Sequence, residues 1–254
     1  MKLMTYNLLN GAADTYEKVV TVVKEENPDF LTLNETNGFE KNEMQKLKDF
    51  ATQTHFSNFH LALSGEGDYH VAVFSKKPFK ELREIRPLAR AGVLATVDSE
   101  FGELCIVGTH LTPYTETARL PEIDLLTKEQ GQYIHKVLMG DLNSLSFEDN
   151  YEEKIVQEFN PMQLKKFTFE NKLCFDVTRK LKEYRYVDPA VLLGKNDEKT
   201  APTHVNELEA HSNMRLDYIL VSDSLKSRVS DYAVVKNSLT NVASDHYPVT
   251  VTLN

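Results

Sequence analysis

The sequence has no tryptophan, two cysteines among its 254 residues, and no long apolar run. No segment approaches the ~18 uninterrupted apolar residues of a membrane-spanning helix. Cys105 and Cys174 lie far apart, each within an apolar stretch, which favours buried free thiols in a reducing compartment over a disulfide bond. Two cysteines and scattered histidines also do not make a zinc site.

A secretion signal is missing from the start of the sequence as well. The first residues, MKLMTYNLLNG, lack the long apolar region and the small-residue cleavage site of a signal peptide. We therefore expect a cytoplasmic protein, and we expect it to be a monomer. Secretion stays open as an alternative, because a leader removed before this sequence begins would leave the same pattern.

Positive charge is scarce. Lysine and arginine number 29 against 38 aspartates and glutamates, which gives a formal net charge of -9. A broad, non-specific affinity for nucleic acid usually comes with a basic excess, so this balance argues against it. Carboxylates that hold a metal would themselves contribute to an acidic balance.

Hydrophobic residues alternate or recur at helical spacing along the chain. The chain begins as strand, helix, strand and helix, and hairpins follow, with Gly102 at a turn position that favours a positive φ. The expected strands cover residues 2–8, 30–35, 60–64, 69–75, 93–98, 103–111, 136–141, 215–222, 231–235 and 247–253. This order predicts an α/β (α+β) fold of two packed mixed sheets flanked by helices, as a single domain over residues 1–254.

Two segments are less regular. A helical stretch around residues 115–128 contains Pro121, which is expected to interrupt it or to start its second half. The polar segment 186–213 is expected to be a surface loop, because the strand pattern resumes after it.

Polar residues recur where the expected strands end or begin. They are Asn7, Glu35, His110, Asp141, Asn143, Asp217 and the pair Asp245-His246. Taken singly, most have a structural explanation as turn or capping residues. Asp217 is harder to explain, because a carboxylate in an apolar strand costs several kcal/mol unless it is paired. His246 is a suitable partner, since an aspartate orients an imidazole and raises its pKa.

Six short motifs carry a family resemblance. They are TYNLLN (5–10), LNE (33–35), GTHL (108–111), GDLNS (140–144), RLDYILVS (215–222) and SDHYPV (244–249). Together they resemble the endonuclease/exonuclease/phosphatase superfamily, whose members include pancreatic deoxyribonuclease, apurinic endonucleases, inositol polyphosphate 5-phosphatases and neutral sphingomyelinases. One motif alone would be weak evidence, whereas six in the family's order cover essentially the whole chain. The resemblance implies a four-layer αββα sandwich.

The resemblance also implies a metal site. Glu35 would be the principal metal carboxylate, with Asn7 and Asp245 close to it. Magnesium prefers oxygen ligands and keeps several waters, so one or two carboxylates suffice. We expect Mg²⁺, with Mn²⁺ as a possible substitute, because such an ion neutralises an anionic phosphate ester and stabilises the leaving oxygen.

The remaining matched residues would act on water and phosphate. Asp141 and Asn143 would position or deprotonate the attacking water. His246, oriented by Asp217, would contact the scissile phosphate, and His110 would support the charge that develops there. We expect both histidines to be protonated and to supply positive charge.

Two further features concern substrate binding. Family members often carry an arginine after the histidine of the GTHL motif, so Arg119 is expected to reach a phosphate, although the nearby Pro121 weakens this assignment. Residues 76–90, KKPFKELREIRPLAR, contain six basic and two acidic side chains. We favour a solvated edge strand protected by lysine over a basic strip that faces the substrate.

The hypotheses for function follow from these residues. The leading one is a Mg²⁺-dependent phosphoesterase that hydrolyses a small-molecule or lipid-derived phosphodiester or phosphomonoester. The alternative is an endonuclease or exonuclease acting on DNA or RNA. A catalytically silent binding module is disfavoured because every matched acid and histidine is present. A serine hydrolase built on Ser244 is disfavoured too, because no G-x-S-x-G elbow or oxyanion-hole motif accompanies it.

Overall fold

The computed structural model describes residues 1–205 and 213–254, and they form two six-stranded sheets packed between layers of helices. The fold prediction is confirmed, as the sheets and helices stack in four layers, αββα. Among the described residues, every helix is too short or too polar to cross a membrane.

The strands and helices follow one another along the chain as follows. In chain order the strands are β1 (Lys2–Asn7), β2 (Phe30–Asn34), β3 (Asn58–Ala62), β4 (Val71–Ser75), β5 (Glu81–Glu84), β6 (Ala91–Ser99), β7 (Gly102–His110), β8 (His135–Asp141), β9 (Thr168–Phe169), β10 (Lys172–Leu173), β11 (Tyr186–Val187), β12 (Asp217–Ser222), β13 (Val229–Val234) and β14 (Val249–Leu253). The α-helices are α1 (Leu9–Ala12), α2 (Tyr16–Glu26), α3 (Lys41–Gln53), α4 (Glu116–Glu129), α5 (Pro161–Phe167), α6 (Asp176–Glu183) and α7 (Pro189–Leu192). In the part of the chain that the structure describes, 3₁₀ helices cover Glu153–Glu158, Asp223–Arg228 and Thr240–Val242.

Apolar side chains fill the three spaces between the four layers. The first sheet has the order β13-β14-β1-β2-β4-β3, and the second has the order β11-β12-β8-β7-β6-β5. Their facing sides bury residues such as Phe30, Val73 and Ile106. The outer side of the first sheet packs on α2 and α3, and that of the second packs on α4 and α6. Burial on both faces explains why the central strands are apolar runs rather than clean alternations.

Strand direction brings the polar residues to one edge of the sandwich. β1 and β2 are parallel with Asn7 opposite Asn34, and β7 and β8 are parallel with His110 opposite Asp141. β12 is antiparallel to β8, so its first residue, Asp217, also lies opposite Asp141. β14 is antiparallel to β1, so the segment before it returns to the same edge. Ligand sites form at such edges.

Several local predictions are confirmed, and the one for Pro121 is wrong. Both cysteines are free and buried, and Gly102 has a φ of 110°. Pro121, however, lies inside a continuous helix, α4. The backbone bond that proline cannot donate would go to the carbonyl of Thr117, and both residues are exposed, so water can take its place.

The polar segment 186–213 is more ordered than a surface loop. It contains β11 and α7, and Thr200, Ala201 and Thr203 are buried. Residues 206–212 of this segment lie outside the described part of the chain.

Candidate active site

Asp217 and His246 form a buried pair at the shared edge of the sheets. The Nδ1 of His246 lies 2.7 Å from the Oδ2 of Asp217, and both side chains are almost fully buried. Burial alone would lower the pKa of His246, but the charge of Asp217 and this hydrogen bond outweigh it and raise the pKa to about 10. Burial raises the pKa of Asp217. One proton is therefore held between the two side chains at neutral pH, as pairing of this kind requires.

Asp141 lies beside that pair. Its Oδ1 accepts the backbone N–H of Asn143 at 2.8 Å, and its Oδ2 lies 3.1 Å from the Nδ2 of Asn7 and 3.5 Å from the Nε2 of His110. Burial opposes ionisation of this carboxyl group, but the histidines His110 and His246 outweigh burial and lower its pKa. Asp141 is thus an oriented carboxylate. Asn143 supports it through the backbone, while its own Nδ2 donates to the carbonyl of Leu111.

His110 departs from the charge state that the sequence indicates. Burial lowers its pKa to about 4, despite the opposing charge of Asp141. A neutral imidazole is the result at neutral pH, so the expected second imidazolium is corrected to an uncharged side chain. Its Nδ1 is buried and has no hydrogen-bond partner among the described residues.

Glu35 leads the group of residues expected at the metal. It follows β2 with a left-handed backbone (φ 57°), and its Oε2 accepts the N–H of Asn10 at 3.1 Å. Burial raises the pKa of Glu35; the Asn10 bond opposes this shift, and the negative charge of Asp245 adds to it. A cation held by Glu35 and Asp245 would compensate both effects. The all-oxygen donors therefore fit a divalent ion such as Mg²⁺.

Asn7 is expected near the metal, but its amide oxygen does not face the carboxylates. Its Nδ2 lies 3.4 Å from the Oε1 of Glu35 and 3.1 Å from the Oδ2 of Asp141, while its Oδ1 accepts the N–H of Leu9 at 3.2 Å. The amide therefore bridges the two carboxylates and turns its oxygen away from them. In this arrangement Asn7 positions Glu35 and Asp141.

Ser244 and Asp245 precede the histidine in a tightly bonded turn. The Oγ of Ser244 donates to the backbone carbonyl of Asn7 at 2.6 Å. The hydroxyl proton of Ser244 is therefore donated to a backbone carbonyl and not to an imidazole base. This hydrogen bond argues against Ser244 as an activated nucleophile.

Two supporting residues were not anticipated from the sequence. Asn34 accepts the N–H of Asp141 at 3.0 Å and donates to the carbonyl of Thr109 at 2.9 Å, so it joins the two sheets beneath the site. The hydroxyl oxygen of Thr200 accepts the N–H groups of Leu216 and Asp217 at 2.9 and 3.3 Å. Asn34 lies inside the LNE motif, which was a usable signal, whereas nothing in the pattern marked Thr200.

Arg119 does not fit the substrate contact expected of it. The side chain is fully buried and its guanidinium is surrounded by protein acceptors. These are the carboxylate of Glu116 at 2.8 Å, the hydroxyl of Ser144 at 2.9 Å, and the carbonyls of Thr112 and Lys166 at 3.1 and 2.7 Å. Because its donors are engaged inside the protein, we correct its role to one of structural support for the loop after β8.

Two cations near His110 were also not anticipated as site residues. Burial is the main cause of the lowered pKa of His110, and the charges of Arg90 and Lys166 add to it. Arg90 stacks on the ring of Tyr69, with its guanidinium carbon 3.6 Å from the ring centroid, and donates to the carbonyl of Glu66 at 3.0 Å. Lys166 is buried at the end of α5.

The basic segment 76–90 is mostly paired with acids. It contains β5, the edge strand of the second sheet, as the favoured prediction has it. Lys80 lies 3.1 Å from Asp98, and Arg83 lies 2.5 Å from Glu129. Much of the positive charge is therefore balanced before any anion approaches.

The residues expected to hold the metal, to orient the water and to contact the phosphate thus lie together. Asp141, Asp217 and His246 offer ligand-capable atoms within 4.8 Å of one another. Glu35 joins them through Asn7, and His110 through Asp141. Asp217 retains one buried oxygen, Oδ1, without a hydrogen-bond partner among the described residues. The arrangement can orient a water, offer an imidazolium to an anion, and hold a divalent ion.

Comparisons with known proteins agree with this geometry. The model of the Endonuclease/Exonuclease/phosphatase family matches residues 4–246. No curated protein gives a significant sequence match.

Solved structures share the fold at low sequence identity. An AP endonuclease from Archaeoglobus fulgidus is 17% identical, with a TM-score of 0.74, covering 100% of this chain and 99% of that one. An endonuclease/exonuclease/phosphatase family protein from Leptotrichia buccalis C-1013-b is 18% identical, with a TM-score of 0.72 and the same coverage. The 3′ phosphatase NExo from Neisseria, bound to a product DNA hairpin, is also 18% identical, with a TM-score of 0.70 and the same coverage.

At these identities the structural likeness establishes the fold alone, whereas the family model spans nearly the whole sequence. The chain belongs to the endonuclease/exonuclease/phosphatase family, whose members are hydrolases that act on phosphoester bonds.

Proposed function

We propose that the protein is a Mg²⁺-dependent phosphoesterase that hydrolyses a small-molecule or lipid-derived phosphate ester by direct attack of water. One observation carries the proposal. Asp141 is held as a carboxylate between the Asp217–His246 pair and His110, and Asn7 connects it to Glu35.

The metal is assigned to Glu35 and Asp245, with Asn7 holding Glu35 in place. When bound, Mg²⁺ would neutralise phosphate charge and stabilise the leaving oxygen. The cluster of Asp141, Asp217 and His246 is a poorer site for a cation, because the raised pKa of His246 already places a proton and a positive charge there.

Asp141 is proposed to orient the attacking water. Its pKa lies below the ordinary range, so it is ionised at neutral pH and accepts hydrogen bonds. Its lone pairs are fixed by Asn143 and Asn7, which leaves the carboxylate in one orientation. It receives the proton of the water as the new P–O bond forms, a step worth about 10²–10⁴-fold in rate for general bases.

His246 and His110 are proposed to contact the phosphate in two different ways. His246 is the charged partner, because Asp217 keeps its ring protonated. His110 is neutral and contributes a hydrogen bond rather than a charge. Preorganised donors of this kind stabilise the charge that develops on the phosphoryl oxygens.

Hydrolysis of p-nitrophenyl phosphate and bis-p-nitrophenyl phosphate with Mg²⁺ or Mn²⁺ tests the proposal. We expect metal-dependent turnover that is lost in Glu35→Ala and in His246→Ala. Glu43→Ala is the matched control, since Glu43 is an exposed carboxylate on α3. Absence of turnover across a wider phosphate-ester panel, with a folded wild-type protein, contradicts the proposal.

A nuclease is the second candidate, and it is supported by the fold shared with an AP endonuclease and with the DNA-bound NExo. The net charge of -9 and the paired cations of segment 76–90 weigh against it. Binding of a fluorescent oligonucleotide at a series of salt concentrations separates the two. A steep loss of affinity with salt supports the nuclease, and no binding at low salt removes it.

The expected cytoplasmic monomer also stays a proposal. Two free, buried cysteines fit a reducing compartment. Light scattering on a size-exclusion column measures the mass in solution, and a dimer mass would contradict the monomer.

A further inference from the structure

Lys166 is a buried cation without a counter-ion at contact distance. Its side chain is 7% exposed at the end of α5, whereas its neighbour Lys165 is exposed. Buried lysines are nearly always paired with an acid. Among the residues that the structure describes, no carboxylate lies within ion-pair distance of its ammonium, and the close partner is the ring of Phe167, 5.0 Å from Nζ to the centroid.

The backbone of Lys166 is connected through Arg119 to the loop after β8, which contains Asn143 and Ser144. Its carbonyl accepts a hydrogen bond from Arg119 at 2.7 Å, and Arg119 donates in turn to the hydroxyl of Ser144 at 2.9 Å. Ser144 directly follows Asn143 in the GDLNS motif. Two hydrogen bonds thus connect the backbone of Lys166 to the loop that follows Asp141.

The ammonium also lies within electrostatic range of the site. Burial lowers the pKa of Lys166 to about 8, and the charges of Asp141, Glu35 and Asp217 oppose that shift. A group with this pKa is still mainly protonated at pH 7. Its charge in turn acts on His110.

The carboxylates that act on Lys166 each have a closer partner. Asp217 lies 2.7 Å from His246, Glu35 is assigned to the metal, and Asp141 accepts the N–H of Asn143 at 2.8 Å and lies 3.5 Å from the Nε2 of His110. Within the described residues none of these acids forms an ion pair with the ammonium of Lys166, so a bound anion would stabilise the buried charge at contact distance.

We propose that Lys166 binds a terminal oxygen of the substrate phosphate and thereby favours phosphomonoesters over phosphodiesters. This inference rests on the proposed phosphoesterase function and names its substrate class. A phosphomonoester carries a charge of about -1.5 to -2 at pH 7 and three terminal oxygens. A diester carries one negative charge and two such oxygens, so an additional cation in a poorly solvated site gains less from it.

The test compares Lys166→Met with Lys165→Met on two substrates. Methionine keeps the length and apolar volume of the side chain and removes the charge. We expect Lys166→Met to lower kcat/KM for p-nitrophenyl phosphate roughly 10- to 100-fold, the range for a hydrogen bond to a charged group. The loss on bis-p-nitrophenyl phosphate should be several-fold smaller, Lys166→Arg should recover part of the monoester activity, and Lys165→Met should match the wild type.

A binding measurement without turnover accompanies the kinetics. Inorganic phosphate in the presence of EDTA is titrated while the melting temperature is followed. The wild type and Lys165→Met are expected to be stabilised at lower phosphate concentrations than Lys166→Met.

The outcomes separate the two proposals. Equal losses on both esters, or the same phosphate affinity in Lys166→Met and the wild type, overturn the role of Lys166. A wild type that hydrolyses neither ester overturns the phosphoesterase function, and phosphate binding then decides the role of Lys166 by itself.

Discussion

At the scale of single residues, the two site histidines show that the distance to a neighbouring carboxylate controls the charge of an imidazole ring. Burial acts on both rings in the same direction. His246 has Asp217 at 2.7 Å, and its pKa rises to about 10. His110 lies 3.5 Å from Asp141, an acid that also faces Asn7 and His246. The pKa of His110 falls to about 4. The same side chain is therefore an imidazolium at one position and a neutral donor at the other.

Asp217→Asn is expected to lower the pKa of His246 and to lower kcat about 10²–10⁴-fold, because the ring loses both its charge and its orientation. The wild-type pKa is raised from 6.5 to about 10, so its stabilising effect is complete below pH 6.5 and is lost as the pH rises to about 10. Urea unfolding in EDTA across this pH range measures the effect. The free energy of unfolding should decline more steeply in the wild type than in Asp217→Asn, and parallel declines would contradict the pairing.

At the scale of elements, the site depends on how closely β7 and β8 approach. Gly140 has a φ of 142°, and a Cβ placed there would lie 1.7 Å from the carbonyl oxygen of Thr109. Only glycine allows this approach. The next pair along the ladder is His110 opposite Asp141, so the glycine of the GDLNS motif sets the spacing of two site residues.

Gly140→Ala is expected to destabilise the protein by at least about 3 kcal/mol, because backbone atoms and not a flexible side chain must move. Gly194→Ala is the matched control, since Gly194 also has a positive φ (66°) but open space around it. The control should cost about 1 kcal/mol, from backbone strain alone. Denaturant unfolding of both variants measures the difference. Equal losses in the free energy of unfolding would contradict the role assigned to the contact between a Cβ at position 140 and the carbonyl oxygen of Thr109.

Arg119 supports the loops that follow β7 and β8, through its hydrogen bonds to Thr112 and Ser144. Arg119→Met is expected to cost about 3–5 kcal/mol, because it leaves the buried carboxylate of Glu116 without its cation. Arg179→Met is the control, since the ion pair of Arg179 with Asp176 is exposed and worth at most about 1 kcal/mol. Denaturant unfolding measures both costs. A stable Arg119→Met protein with a raised KM would restore the phosphate contact that the sequence indicated.

At the scale of the whole molecule, the site buries a carboxylate whose charge a metal would compensate. Burial raises the pKa of Glu35, and the negative charge of Asp245, from the other end of the chain, adds to this shift. The two sheets and their helices hold them there, because the apolar core between the layers is buried throughout. A bound cation is therefore expected to stabilise the folded protein.

Saturating Mg²⁺, at about 100 times its Kd, is expected to stabilise the protein by about 2.7 kcal/mol. For a chain of this size that corresponds to a rise in melting temperature of roughly 5–10 °C, reversed by EDTA. Glu35→Gln should abolish the rise and should melt higher than the wild type in EDTA, because the repulsion with Asp245 is gone. Calorimetry with and without the ion checks both statements, and an unchanged Mg²⁺ response in Glu35→Gln would remove Glu35 from the metal.

In the sequence, six motifs identify the family by resemblance, and that resemblance implies the four-layer fold. Hydrophobic periodicity predicts the individual strands, and strands that end at the same edge of a sheet explain why their terminal residues meet. Asn7, Glu35, Asp141 and His246 could be placed in this way because each belongs to a motif at a strand end.

The environments of the side chains follow from tertiary packing. The neutral state of His110, the interior position of Arg119 and the burial of the Lys166 ammonium each depend on groups far away in the chain. Burial and the distance to the nearest charge control a pKa and the availability of a donor. Neither burial nor the distance to the nearest charge can be predicted from the local sequence pattern, because both arise only when the layers pack.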